Sequence, residues 1–183
     1  MTYYFTLPVT KDIAFVQPRL ELADKVFQLI DSDRKHLEEF LDFVEITKEI
    51  KDEEIYLKMK LTGEANGTDR LFFISYQGEL VGTIDLHFID HKNKKADIGY
   101  WIHSDFVKKG IMTASVHKIC DIAFEDLDLN KLTIIADSKN IASNGVAKKC
   151  GFTFVATDKE ESMLYGELRD TNRYALLKRD YLK

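Results

Sequence analysis

At Arg70 the spacing of apolar residues changes from helical to alternating, and this change sets the fold class. Upstream, Leu22, Val26, Leu29 and Ile30 recur at helical spacing, and Leu37, Phe40, Leu41 and Val44 repeat it after a break at Asp31-Ser-Asp33. These predict two short helices after an opening strand, Ile13–Leu20, which Pro18 disrupts. A third helical segment is predicted over Lys51–Leu61, ending in the breaker run Thr62-Gly-Glu-Ala-Asn-Gly-Thr68. Downstream, Leu71–Tyr76, the turn Gln77-Gly78-Glu79 and Leu80–Ile89 predict a hairpin, and Ala96–Ile102 extends it to an antiparallel meander. Val116, Ile119, Cys120, Ala123 and Leu127 then share one face of a helix from about Met112 to Leu127. Lys131–Ala136 follows as a strand, Asn140–Cys150 as a helix stopped by Gly151, Phe152–Val155 as a strand, and Tyr174–Lys178 as the strand that closes the sheet. The expectation is an α+β domain with a mixed central sheet, spanning residues 1–183 without a linker or repeat.

Composition limits the function classes. With 183 residues, 45% apolar and 31% charged, the chain suits one globular core. A net charge of −5 argues against generic nucleic-acid binding, which needs a clustered basic surface. Cys120 and Cys150 cannot make a disulfide framework, have no C-x-x-C spacing and both sit in helical-looking sequence, which suits a reducing, cytoplasmic setting. The stretch Met1–Val9 lacks a leader pattern, and no run approaches ~20 apolar residues, so no membrane association is expected. His36, His91, His103 and His117 lack ligand spacing, so no metal is expected either.

The chemistry-bearing stretch is Ile102-His-Ser-Asp-Phe-Val-Lys-Lys-Gly-Ile-Met-Thr113, a strand running through a turn into a helix. Unpaired N–H groups at such a helix start attract a pyrophosphate, Gly110 permits close approach, and Lys108 and Lys109 add positive charge. Neither dinucleotide G-x-G-x-x-G nor Walker G-x-x-x-x-G-K-[ST] is present. Around this turn, Ile98-Gly-Tyr-Trp-Ile102, Asp121–Lys131, Asn140-Ile-Ala-Ser143 and Lys148-Lys-Cys-Gly-Phe152 occur in order. Together they resemble the GNAT superfamily of N-acetyltransferases, and within it the RimJ/RimL-like ribosomal-protein serine/alanine N-acetyltransferases.

The resemblance implies a GNAT fold, with a mostly antiparallel sheet splayed at the cofactor site, and acetyl-coenzyme A as cosubstrate. By the family pattern the pyrophosphate loop is Val107–Met112, with Gly110 matching and Val107 and Met112 departing from the polar and small residues usual there. Cofactor contacts are expected from Trp101, Ile102, Lys108, Lys109, Gly110, Ile111, Met112, Thr113, Asn140 and Ser143. Asn140 would orient the pantetheine and Ser143 protonate the departing thiolate, although both also suit a capping role. The amine needs a base, and Asp97 and His87, on adjacent predicted strands, are the candidates. Cys150 is read as packing rather than nucleophile.

The acceptor implied is a primary amine, foremost the N-terminal α-amine of a ribosomal protein. The rivals are a polyamine or aminoglycoside, or a noncatalytic acyl-coenzyme A-binding module, and the oligomeric state stays open. Glu38, Glu39, Asp42, Glu45, Glu49, Asp52, Glu53 and Glu54 face only Lys48 and Lys51, giving residues 38–54 a charge of −6 and the rest of the chain +1. Such a run is either a solvated face or an attractor for a basic substrate.

Overall fold

The computed structural model describes residues 5–182; the leader-free reading of residues 1–4 lies outside the described residues. The early chain forms β1 (Thr6–Pro8), β2 (Ile13–Val16), α1 (Ala23–Asp31), α2 (Arg34–Leu37), α3 (Phe43–Ile46) and α4 (Ile50–Asn66). The meander follows as β3 (Arg70–Tyr76), β4 (Glu79–Asp90) and β5 (Lys95–Ile102), and then come α5 (Ile111–Asp121), β6 (Lys131–Asp137), α6 (Ile141–Lys149), β7 (Thr153–Leu164), β8 (Glu167–Leu177) and a terminal turn. The strands form one eight-stranded sheet in the order β1-β2-β3-β4-β5-β6-β8-β7. All pairings are antiparallel except β5 with β6.

Both faces of the sheet are covered, so alternate residues of a central strand enter different cores. Leu71 and Phe73 of β3 pack with Val26, Ile30 and Leu57 from α1 and α4, whereas Ile74 joins Val116 and Ile119 of α5 on the opposite face. The predicted helices and meander are present, but four boundaries differ. The opening strand ends at Val16, before Pro18, and pairs with an extra edge strand, β1. The segment predicted as a second helix divides into α2 and α3.

Helix α4 runs through the expected breakers to Asn66 and stops at Gly67, which adopts a left-handed φ of 76°. Gly63 is accommodated because the helix lies close to Asp69, whose side chain occupies the space a Cβ would need. The last hairpin is the largest difference. β7 and β8 extend well beyond the predicted segments, and β8 inserts between β6 and β7, so the final strand is internal and β7 forms the edge. Their added residues are largely polar, and without apolar alternation the hydropathy pattern carried no signal for them.

Gly82 sits where β4 presses on β5. A Cβ there would lie 2.8 Å from the Ile102 Cα and closer still to the Trp101 carbonyl oxygen. Gly82→Ala is therefore expected to cost about 2 kcal/mol, because backbone cannot move aside as a flexible side chain can. Urea unfolding checks this; an unchanged midpoint would show that β5 yields at no cost.

Candidate active site

The β5–β6 pairing is short. Lys95, Ala96 and Asp97 pair with Lys131, Leu132 and Thr133, after which β5 stays on β4 as far as Ile102 while β6 stays on β8. From Ile98 onward the β5 edge facing β6 thus carries unpaired backbone groups, which seek external partners. A cavity of about 500 Å³ opens in this gap, lined by residues of β5, β6 and α6. Its wall includes Tyr100, Trp101, Ile102, Met112, Asn140 and Ser143.

At one end of the cavity lies the start of α5. Lys108 and Gly110 both have positive φ, 61° and 77°, which turns the chain sharply into the helix. The first N–H to return to a carbonyl is that of Ala114, on Gly110 at 3.0 Å, leaving those of Ile111, Met112 and Thr113 directed out of the helix start. Lys109 Nζ lies over the Phe106 ring at 4.8 Å, and Ile111 is buried in the core. Asp33 anchors the approach to this turn, accepting hydrogen bonds from the Ser104 N–H at 2.6 Å and hydroxyl at 2.7 Å. Next to it, His103 accepts the Asp105 N–H on Nδ1, so its Nε2 carries the proton toward Ser32.

At α6, Asn140 caps the helix by accepting the Ser143 N–H at 2.9 Å. The Ser143 hydroxyl lies 3.0 Å from the Tyr100 hydroxyl, whose pKa burial pushes up to about 12, so the phenol keeps its proton at neutral pH. Asn144 holds this arrangement. Its amide donates to the Asp137 and Asn140 carbonyls, and its oxygen accepts from Asn172 and from Tyr174 at 2.7 Å, satisfying a buried amide completely. Neither Asn144 nor Tyr100 stands out in the amino-acid order, because Tyr100 meets Ser143 on α6, and Asn144 meets Asn172 and Tyr174 on β8, only in the folded molecule.

A second cavity, of about 510 Å³, lies on the other face of the sheet beneath α1, α3 and α4. The two share Leu41, Gly99, Tyr100 and Trp101, so they meet on the splayed strand. Trp101, with its ring 6.2 Å from that of Phe43, lines both. An adjoining open mouth shares Phe43 and Ile46 with the second cavity and is lined by Asp42, Glu45, Met163 and Tyr165 at the β7–β8 tip.

Residues 12–153 match the family model described as the acetyltransferase (GNAT) domain. The chain belongs to the GNAT acetyltransferase family. The acetyltransferase is 41% identical over 106 residues, 58% of each chain, to YdaF of Bacillus subtilis (strain 168), a protein named for ribosomal N-acetylation. It is 25% identical over 150 residues, 82% of this chain and 84% of the other, to the ribosomal-protein-serine acetyltransferase of Escherichia coli (strain K12). Among solved structures it resembles the microcin C7 self-immunity acetyltransferase MccE, in complex with acetyl-CoA and AMP, with a TM-score of 0.88 and 26% identity, over 92% of this chain and 94% of that one.

The two candidate bases of the acetyltransferase face each other, His87 pairing with Asp97 across β4 and β5, but neither lines either cavity. His87 Nδ1 lies 3.3 Å from Asp85 Oδ2, and both side chains fill the space left by Gly99. Asp85 in turn holds Lys60 at 2.6 Å. The acidic run is divided among several tasks. Asp52 accepts the N–H groups of Lys48 and Glu49 and caps α4, Asp42 and Glu45 line the mouth, and Glu53 is buried in the second cavity. Burial pushes the Cys150 thiol up to about 11, which suits packing and not nucleophilic attack. No group of metal-binding side chains occurs among the described residues, and no helix among them is long and apolar enough to cross a membrane.

Proposed function

We propose that this acetyltransferase moves the acetyl group of acetyl-coenzyme A to the N-terminal α-amine of a polypeptide, by direct attack within a ternary complex. The observation that carries the reading is the meeting of two cavities from opposite faces of the sheet at Gly99–Trp101. Donor and amine then approach the same strand without competing for one entrance. Acetyl-coenzyme A is the acetyl donor, and the first cavity fits it on two counts. The splayed β5 edge offers unpaired backbone to a pantetheine amide, and the outward N–H groups of Ile111, Met112 and Thr113 suit a pyrophosphate. Val107 and Met112 do not prevent this, because these partners are main-chain groups.

Trp101 and Ile102 flank the arm, and Asn140 keeps the α6 start in place beside it. The Ser143 hydroxyl donates its proton to the departing sulfur, and the Tyr100 hydroxyl donates to Ser143 in support. The mouth favours a polypeptide acceptor. Its rim combines exposed Ile46, Met163 and Tyr165 with the carboxylates of Asp42 and Glu45, which suits a chain whose leading end is cationic. The relatives named for ribosomal acetylation support a ribosomal protein as that chain. The same two carboxylates favour a second reading, a polyamine.

A steady-state panel at saturating acetyl-coenzyme A separates these readings. Peptides with free N-termini are expected to exceed polyamines and N-terminally blocked peptides by about tenfold or more in kcat/KM. Preference for the polyamine establishes the second reading, and binding of acetyl-coenzyme A without transfer to any amine overturns both.

A further inference from the structure

One carboxyl in the second cavity has no task in the protein. Glu53, in the first turns of α4, is 3% exposed, and neither a hydrogen bond nor an ion pair joins its carboxylate to any described residue. An unpaired buried charge is costly, and folded proteins seldom keep one without use. The other carboxylates around it are engaged. From α4 itself, Asp52 is committed to the backbone of Lys48 and Glu49, and Tyr56 presents its phenol. From β4, Asp85 is paired with Lys60 and His87, and from β5 the Tyr100 hydroxyl is bonded to Ser143. Helices α1 and α3 contribute apolar Val26, Ile30, Phe43 and Ile46. Among the described residues that line this cavity, Glu53 is thus the buried carboxylate left without a partner, in the space that borders the splayed strand.

We propose that Glu53 is the carboxylate that receives the acceptor amine, pairing with the incoming primary ammonium and taking one of its protons. This rests on the reading of an amine acceptor given above. Proton transfer leaves a neutral amine beside a neutral carboxyl, so the burial that disfavours the Glu53 charge drives the step forward. The amine nitrogen then forms its bond to the acetyl carbonyl carbon as the carbon–sulfur bond breaks, its electron pair going to sulfur. A second nitrogen proton passes to solvent as the amide forms; the sulfur takes one proton from Ser143, which regains one from solvent, and the proton on Glu53 returns to solvent after product leaves. Burial pushes the Glu53 pKa up to about 7, poised for exchange at neutral pH. His87 and Asp97 line neither cavity, and His87 instead supports the charge of Asp85.

The test uses Glu53→Gln, Glu53→Asp and His87→Asn in the full chain, with the best amine from the panel. In the wild type kcat/KM is expected to rise through pH about 7 as Glu53 ionises. Glu53→Gln should lower it about a hundredfold at pH 7, with recovery as the pH approaches the amine's own pKa of roughly 8, where free amine needs no base. Glu53→Asp should restore part of the activity and His87→Asn should keep the limb near 7. Acetyl-coenzyme A affinity by calorimetry should be unchanged in all three. Glu53→Gln should melt no lower than the wild type at pH 8, since it removes a buried charge. An active wild type whose Glu53→Gln variant keeps both rate and limb overturns the assignment, and loss of the limb in His87→Asn transfers the role to His87. A wild type that binds acetyl-coenzyme A but acetylates no amine overturns the functional reading itself.

Discussion

In a Ser143→Ala variant, kcat is expected to fall about a hundredfold while acetyl-coenzyme A affinity changes little. The reason is geometric. Ser143 Oγ stands in the wall of the first cavity, fixed from both sides, by the Asn140 cap on its backbone and by the Tyr100 hydroxyl on its side chain. Under the proposed mechanism, removing the hydroxyl takes away the proton donor for the departing sulfur and leaves the cap intact, so binding and turnover separate. Tyr100→Phe should cost less alone, because Ser143 remains, and the double variant should exceed Ser143→Ala by little. Single-turnover and calorimetric measurements check this. Equal losses of affinity and rate in Ser143→Ala would show that the hydroxyl only positions the cofactor.

Lys60→Met is expected to destabilise the fold by about 3–5 kcal/mol, the largest stability effect of any single change discussed for this chain. Lys60 and Asp85 have side chains only 9% and 10% exposed and lie 2.6 Å apart, and Asp69 holds the same ammonium at 2.8 Å. Burial works against the Lys60 charge, but Asp85 and Asp69 outweigh it and hold the pKa above its usual value. Burial likewise works against the Asp85 charge, and His87 and Lys60 outweigh it and hold that pKa below the usual carboxylate range. A depressed carboxylate contributes stability above its unfolded pKa and loses it as pH falls through the folded one. The deficit of Lys60→Met should therefore be full at neutral pH and shrink below about pH 4, where Asp85 protonates and needs no partner. Adding Asp85→Asn should recover much of the loss at pH 7. Urea unfolding across pH reads all three outcomes, and a deficit independent of pH would assign the effect to packing alone.

The same triad shows why part of the site was not visible in the sequence. Lys60, Asp69 and Asp85 are unremarkable charges in the chain, and their burial arises only when α4 is laid across β3 and β4. That contact also carries α4 past its breakers, since Gly63 yields the room that Asp69 fills. Glu53 was in view only as one of eight acids in a run. Its neighbours at 49, 52 and 54 became a cap and a surface pair, whereas helical rotation turned Glu53 inward.

What the amino-acid order specified was therefore mostly local. The alternation from Leu71 to Ile102, the Gly110 turn and the Asn140-x-x-Ser143 cap each depend on residues close together in the chain, and each is present as expected. The insertion of β8, the divergence of β5 from β6, the Tyr100–Ser143 pair and the isolation of Glu53 required the packed molecule. Turns and caps are settled by hydrogen bonds and φ preferences over a few residues. Burial, and with it the chemistry of a carboxylate or a phenol, depends on what remote segments bring against it.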